Sequence, residues 1–483
     1  MAMHCVVGAH ESSAGAREPS PPQELAAGAA GELPFWARPE RSPGGGMLHE
    51  HMQRHVLHES SWPHARCLDG SRAAYYVRLA LAHSSAPRSW VIQLGGGGQC
   101  WDKDSCQEAK KTYFGSSAAW SQTYDGNTFV SPNRTLSPFA DWNHAFVPQC
   151  GSDQHLGTAG YVHEWDAVFS GRHIVDAVIG DLSAQYGLQK ADALLFAGSS
   201  GGGIAVNNLA DSVQEMVPAA KLVALPVAAN HFLPMPRSDI YHGPGKLELS
   251  NKELVDKHNI GRMHLIKNFS LPAACLQAHP STPSVCYFLK FALRHMKADA
   301  FMVLAQVDKT YLSMHGGFQS PCMQLPLTAE TGSFARQWAR KTSLALEPLR
   351  RPQSGGRRMG LFFPACWLHS EFDFAGPLVH GRNLVSAAYE WLFHNGTRVY
   401  EDDCGGNVMC NPTCLDAYGM KRANELSYQY AVPTGHEDEL LDRMVDPHLQ
   451  RGDDGANSTK NKGSGSAIVE RAPMRRALVP EIS

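Results

Sequence analysis

The sequence predicts an α/β fold with a mainly parallel central sheet flanked by helices. Strand-like and helix-like segments alternate through the middle of the chain, several of the strand-like runs are apolar enough to be buried, and a Gly/Ser-rich turn joins one of them directly to a helix. Alternation of this kind implies parallel strands joined by helical crossovers, in a sheet covered on both faces. Ser89–Leu94 is a buried strand that runs into the four glycines Gly95–Gly98. His173–Leu182 carries apolar residues at helical spacing. Ala191–Ala197 is a short buried strand, and Gly203–Leu209 opens a helix. Lys221–Pro226 and Ala300–Ala305 are further strands, and Met359–Leu368 is a strand leading into a loop. Right-handed crossovers place the strand C-termini, and any site, along one edge of the sheet.

Composition narrows the function. The 483 residues are 43% hydrophobic, enough for a substantial core in one large α/β domain or two or three average ones. A formal net charge of −3 gives no electrostatic ground for nucleic acid or an anionic membrane as partner. No apolar run approaches the roughly 18 residues of a membrane span. Residues 1–58, rich in Ala, Gly, Pro, Glu and Ser, are expected to be a disordered leader, 59–435 the folded domain, and 436–483 a polar, disordered tail. If the leader's end were helical, His51, His55 and His58 would share a face and suggest a metal. No Cys or acidic ligand completes that set, so a solvated polar segment is expected.

Of the twelve cysteines, seven fall in close groups, Cys100/Cys106, Cys275/Cys286 and Cys404/Cys410/Cys414. Only Cys410 and Cys414 have zinc-like spacing, and no second pair matches them, so disulfides in an oxidising compartment are expected. Sequons at Asn133, Asn268, Asn395 and Asn457 agree with a secreted or secretory-lumen protein. Against this, Met1–Gly8 has no apolar stretch of signal-peptide length.

The chemistry centres on Gly198-Ser199-Ser200-Gly201-Gly202, a G-x-S-x-G between a strand and a helix. Glycines permit the sharp turn and close packing, and the serine hydroxyl is left at a helix N-terminus, as in the nucleophile elbow of an α/β-hydrolase-like domain. Ser200 is the central serine and Ser199 the fallback. An acyl-transfer site also needs oxyanion donors, a carboxylate and a base, with the triad in the order Ser, Asp, His. Gly201 follows the nucleophile and supplies one amide. Gly96 and Gly97, after a strand, supply the other. Asp308 follows the strand Phe301–Val307, whereas Asp299 precedes it, at the wrong edge. His369 follows a strand, but among 24 histidines His315, His380 and His436 compete for the role.

Taken together, these blocks resemble the pectin acetylesterase/Notum family of secreted carboxylesterases, a divergent α/β-hydrolase branch. Cys67-Leu68-Asp69-Gly70-Ser71 with Tyr75-Tyr76, Leu94–Cys100 with Cys106, Gly115-Ser116-Ser117, Phe169-Ser170-Gly171-Arg172, Phe196–Gly202, Leu304–Asp308, Phe363–His369 and Cys404 with Cys410–Cys414 are similar to its motifs and colinear with them, from about 60 to 415. The resemblance implies Ser200 as nucleophile, Asp308 as orienting acid and His369 as base. It also implies disulfides Cys67–Cys150, Cys100–Cys106, Cys275–Cys286 and Cys322–Cys366. The chain departs from the family pattern at Gly95 for Glu, Gln99 for Trp, Ser199 for Cys, Gly201 for Ala and Val307 for Tyr. None of these removes a reacting group.

The expectation is therefore a serine carboxylesterase that works without cofactor or metal, with an O-acetylated polysaccharide or another ester as substrate. A Notum-like lipid or protein O-deacylase is the enzymatic alternative. A non-catalytic extracellular glycan-binding protein on the same scaffold is the alternative from another class. The sequence carries no sign of oligomeric state.

Overall fold

A computed structural model describes residues 51–414 apart from 82–83, 230–258, 312–328, 352–355, 373, 375, 395 and 406–408. The strands are β1 (Met52–Val56), β2 (Ala74–Arg78), β3 (Ser89–Leu94), β4 (Thr123–Tyr124), β5 (Asn143–Val147), β6 (Gly160–Val162), β7 (Ala167–Phe169), β8 (Ala193–Ser199), β9 (Lys221–Val227), β10 (Asp299–Val303), β11 (Val307–Asp308), β12 (Met359–Phe363), β13 (Trp367–Leu368) and β14 (Val399–Glu401). Between them lie helices α1 (Lys103–Lys110), α2 (Gly171–Tyr186), α3 (Gly201–Met216), α4 (Ile260–Lys267), α5 (Ala273–Ala278), α6 (Leu289–His295), α7 (Ala329–Ala345), α8 (Glu347–Arg350) and α9 (Leu384–Phe393).

Among the described residues, ten strands form one sheet in the order β14-β12-β10-β9-β8-β3-β5-β2-β1-β4. The run from β14 to β5 is parallel, and β2, β1 and β4 extend it antiparallel. The α/β expectation therefore holds. The parallel strands are near-continuous apolar runs because helices cover both faces: every residue of β12 is buried, as are six of the seven in β9. α3 packs on β8 and β9, and α9 packs on β12. Helix ends follow local chemistry. Asp102 caps α1 by accepting from the Ser105 amide, and Gly187, at φ +78°, closes α2 in the left-handed conformation.

The leader boundary at residue 58 is displaced. Residues 52–56 are strand β1, pairing Gln53 with Val77 and Val56 with Ala74 on β2, and Met52 with Tyr124 on β4. Met52 and Leu57 are buried, and these anchors outweigh the polar His-rich composition. A strand cannot align the three histidines as a helix would. His51 bonds Asp125, His55 lies 3.1 Å from Asp181, and His58 lies 2.9 Å from Ser60. The rest of the leader and the whole tail lie outside the described residues.

Three disulfides implied by the resemblance are present: Cys67–Cys150, Cys100–Cys106 and Cys275–Cys286. The fourth is a correction. Cys366 pairs with Cys414, not Cys322, and Cys404 pairs with Cys410. The turn at Asn411 brings Cys414 there: Asp402 Oδ2 accepts both the Ala365 amide at 2.9 Å and Asn411 Nδ2 at 2.7 Å, seating this turn against Cys366. Cys322 lies outside the described residues. Cys410 and Cys414, the pair with zinc-like spacing, thus belong to two different disulfides.

Candidate active site

All the predicted groups within the described residues converge at the C-terminal edge of the parallel strands. β8 ends at Ser199, and Ser200 turns the chain into α3 with φ +53° and ψ −119°, a conformation costly for a residue with a side chain. It is held by its amide, which donates to the Val227 carbonyl at 2.8 Å, and by its carbonyl, which accepts from Ile204 at 2.9 Å. The elbow glycines are there for close approach. A Cβ on Gly198 would lie 2.4 Å from the Gly202 oxygen, and one on Gly202 would lie 2.3 Å from the Leu94 oxygen.

Gly95–Gly98 follow β3, the neighbour of β8, and lie against this turn. A Cβ on Gly96 would lie 2.7 Å from the Ser199 oxygen and 3.2 Å from the Ser200 Cβ. One on Gly201 would lie 2.4 Å from the Gly97 oxygen, so glycine at this position lets the two segments close up. Within the described residues the Gly96 and Gly97 amides have no protein acceptor. The loop is held by its carbonyls: Gly95 accepts from His155 Nε2 at 2.9 Å, and Gly98 accepts from Gln149 Nε2 at 2.7 Å.

Asp308 and His369 meet through a short parallel pair outside the main sheet. β11 and β13 pair Val307 with Trp367 and Asp308 with Leu368, so the residue after β13 reaches the carboxylate. His369 Nδ1 lies 2.8 Å from Asp308 Oδ2 and 3.0 Å from Oδ1, and its Nε2 lies 2.7 Å from Ser200 Oγ. A carboxylate only accepts, so Nδ1 carries the proton and Nε2 is left to accept from the serine hydroxyl. Asp308 Oδ1 also accepts the Thr310 and Tyr311 amides, each at 3.0 Å. Burial alone would depress the imidazole pKa, but the Asp308 charge, its hydrogen bond and the nearby Glu371 charge outweigh it and hold His369 above its usual value.

Residues beside the acid and base also contribute, and sequence reasoning did not single them out. Glu371 Oε2 accepts the His369 amide at 2.8 Å, and its Oε1 pairs with Lys309 Nζ at 2.6 Å. Burial pushes the Glu371 carboxyl up, but Lys309 and the His369 amide more than offset this, so it stays ionised. The Tyr311 ring stands edge-on to His369 at 5.4 Å between centroids. Their nearness in sequence to Asp308 and His369 is the signal that would have found them.

The competing positions sit elsewhere. Ser199 ends β8 with its carbonyl against Gly96. Asp299 opens β10 at the opposite edge, accepting the Arg358 amide at 2.8 Å. His380 lies in a turn with its ring beside Tyr400. His315 and His436 lie outside the described residues. Cys275, His279 and His295 approach one another closely, but the cysteine sulfur belongs to the disulfide with Cys286.

The family comparisons place this chain among the carboxylic ester hydrolases. A family model described as Pectinacetylesterase matches residues 48–415. The chain belongs to that family. It is 34% identical over 400 residues to palmitoleoyl-protein carboxylesterase notum1a of Danio rerio, covering 78% of this chain and 75% of that protein. It is 25% identical over 369 residues to pectin acetylesterase 11 of Arabidopsis thaliana, covering 72% and 89%. A crystal structure of the Wnt deacylase Notum from Drosophila shares the fold with a TM-score of 0.61 at 21% identity, covering 75% of this chain and 99% of that one.

Proposed function

We propose that the chain is a serine carboxylesterase that works through an acyl-enzyme. One contact carries the reading: the Ser200 hydroxyl lies 2.7 Å from a ring nitrogen whose partner nitrogen is already committed to Asp308. His369 Nε2 takes the Ser200 proton as Oγ attacks the ester carbonyl. Asp308 keeps the proton on Nδ1 and stabilises the imidazolium. The amides of Gly96, Gly97 and Gly201 receive the developing oxyanion. His369 then protonates the departing alkoxide, and a water deprotonated by the same nitrogen attacks the acyl-enzyme and frees Ser200. The helix dipole of α3 adds positive potential beside the nucleophile.

For the substrate, an acetyl ester on a polysaccharide is the first reading. The match of residues 48–415 to the family model described as Pectinacetylesterase supports it. The higher identity to a palmitoleoyl-protein carboxylesterase favours a second reading, removal of a long acyl chain. A secretory compartment is proposed for the protein because five disulfides bond every cysteine among the described residues. Asn133 and Asn268, in two of the sequons, are exposed. No helix among the described residues is long and apolar enough to cross a membrane.

Hydrolysis of p-nitrophenyl esters from acetyl to palmitoyl tests both levels. Loss of turnover in Ser200→Ala is expected, and turnover near wild type would overturn the mechanism. A rate that collapses beyond short acyl chains supports the acetyl reading, whereas a rate that rises toward long chains supports the second.

A further inference from the structure

Lys267, the last residue of α4, is 0% exposed, and the acyl transfer above makes no use of it. Its Nζ donates to the Cys100 carbonyl at 2.6 Å, the Ser152 carbonyl at 2.9 Å and Gln99 Oε1 at 3.3 Å. The Phe169 ring lies 5.0 Å away. Three acceptors match the three N–H bonds of a protonated ammonium. Among the described residues no carboxylate accepts from it. The acidic group facing it, Asp153, has its oxygens on the Gly171 amide at 2.8 Å and the His155 amide at 3.2 Å. A fully buried cation satisfied by neutral oxygens carries a desolvation cost that a surface fastening would avoid.

The segments it joins explain the placement. Gln99 and Cys100 continue the glycine loop that packs on the Ser199–Gly201 turn, where a Cβ on Gly96 would lie 2.7 Å from the Ser199 oxygen and one on Gly201 2.4 Å from the Gly97 oxygen. Ser152 opens the segment in which His155 holds the Gly95 carbonyl and Gln154 packs on Gly201. One ammonium therefore ties the far end of the loop to the segment that supports its near end and the residue after the nucleophile. Ser152, Gln154 and His155 have φ of 46°, 55° and 59°, a strained path that persists only where surrounding contacts hold it.

We infer that Lys267 is a positioning residue for the oxyanion loop, its ammonium holding Gln99 and Cys100 against Ser152 so that the Gly96 and Gly97 amides face the reacting carbonyl. This rests on the esterase reading. It also ties the loop to charge. A neutral amine has two N–H bonds for three acceptors, and its lone pair then opposes one of them. Burial pushes the Lys267 ammonium down to about 7, with the Asp153 charge only partly opposing the shift. His155, on the packed segment, is held neutral with its pKa pushed down to about 4 by burial. His264, on α4, has its ring tilted against Phe269 and is likewise pushed down by burial. Neither gains charge as pH rises; burial also pushes the Asp153 carboxyl up, and its ionisation favours the ammonium rather than its loss, so the alkaline change belongs to Lys267. Turnover should therefore fall on the alkaline side, opposite to the acid limb set by His369.

The test is kcat and KM for p-nitrophenyl acetate with the full chain, from about pH 5 to about pH 10, with circular dichroism at each point to establish folding. Wild type should give a bell. Lys267→Met should lower kcat about ten- to a hundredfold near neutrality, change KM less than about threefold, and lose the alkaline limb. Lys267→Arg, whose charge does not titrate, should also lose the alkaline limb and decides the matter if the methionine variant does not fold. A folded Lys267→Met with wild-type kcat and an unaltered alkaline limb would overturn the inference, as would an alkaline limb unaltered in Lys267→Arg. Ser200→Ala run alongside separates the two levels. Its retained activity would overturn the esterase reading, whereas an inert Ser200→Ala beside a wild-type-like Lys267→Met removes only the role of Lys267.

Discussion

Replacing Asp308 by Asn probes the tautomer on which the whole arrangement depends. The carboxylate oxygen Oδ1 accepts the Thr310 and Tyr311 amides, and an asparagine carbonyl in the same place keeps both bonds. The new NH2 group then takes the place of Oδ2, 2.8 Å from His369 Nδ1. Nδ1–H would face that donor and keep only the longer 3.0 Å contact to the oxygen already shared by two amides, which favours the ring proton on Nε2, presenting N–H to Ser200 Oγ where an acceptor is needed. Loss of the correct tautomer elsewhere costs about 10⁴ in kcat, equivalent to about 5–6 kcal/mol of barrier. The folded state should change little, because the amide bonds at Oδ1 survive. A second readout comes from pH. Burial is the largest influence on the His369 pKa and acts downward, and the Asp308 charge and hydrogen bond are the main opposition. Without them, the acid limb of the residual activity should move to lower pH. The assay is steady-state p-nitrophenyl acetate hydrolysis across pH, with thermal unfolding as the control. A folded variant within about tenfold of wild-type kcat, with the limb unmoved, would refute the triad reasoning.

Other perturbations test neighbouring parts. Gly201→Ala puts a Cβ 2.4 Å from the Gly97 oxygen, so the glycine loop must recede and kcat should fall about ten- to a hundredfold; unchanged kcat would mean that the loop does not supply the oxyanion donors. Replacing Cys366 and Cys414 together by Ser opens a loop of 48 residues beside the base and should cost about 4 kcal/mol in denaturant unfolding; an unchanged midpoint would contradict the pairing. His144 and His155 are buried and neutral, with burial pushing their pKa values down to about 3 and about 4. Each binds a proton more readily when unfolded, so each contributes stability in full above the ordinary histidine pKa of about 6.5 and loses it as pH falls toward the folded value. Between about pH 6.5 and about pH 4 each should withdraw roughly 3 kcal/mol; a flat unfolding free energy across that window would contradict their buried neutral state.

Much of this was legible in the sequence for local reasons. The elbow is contiguous, and its glycines are required by contacts within a few residues, as the 2.4 Å approach of a Gly198 Cβ to Gly202 shows. Apolar runs such as Met359–Phe363 announce buried parallel strands because both faces are covered. What escaped depends on contacts made far along the chain. β1 has the composition of a solvated segment and becomes a strand through pairing with β2 and β4. Cys366 finds Cys414 because Asp402 and Asn411 shape the intervening turn, and spacing carries no record of that. Lys267 reads as a helix-end lysine, which ordinarily faces water. Only the three-dimensional return of Cys100 and Ser152 makes it a buried cation. The base was ambiguous among many histidines for the same reason, since its role is set by the β11–β13 pairing.

A fluorophosphonate probe reports directly on whether Ser200 is a nucleophile activated by His369. Folded wild-type protein should gain a single covalent adduct, mapped by peptide mass spectrometry to Ser200, and lose hydrolysis in proportion, while His369→Ala should label far more slowly. An adduct on any other residue, or none in protein that still hydrolyses esters, would contradict the account.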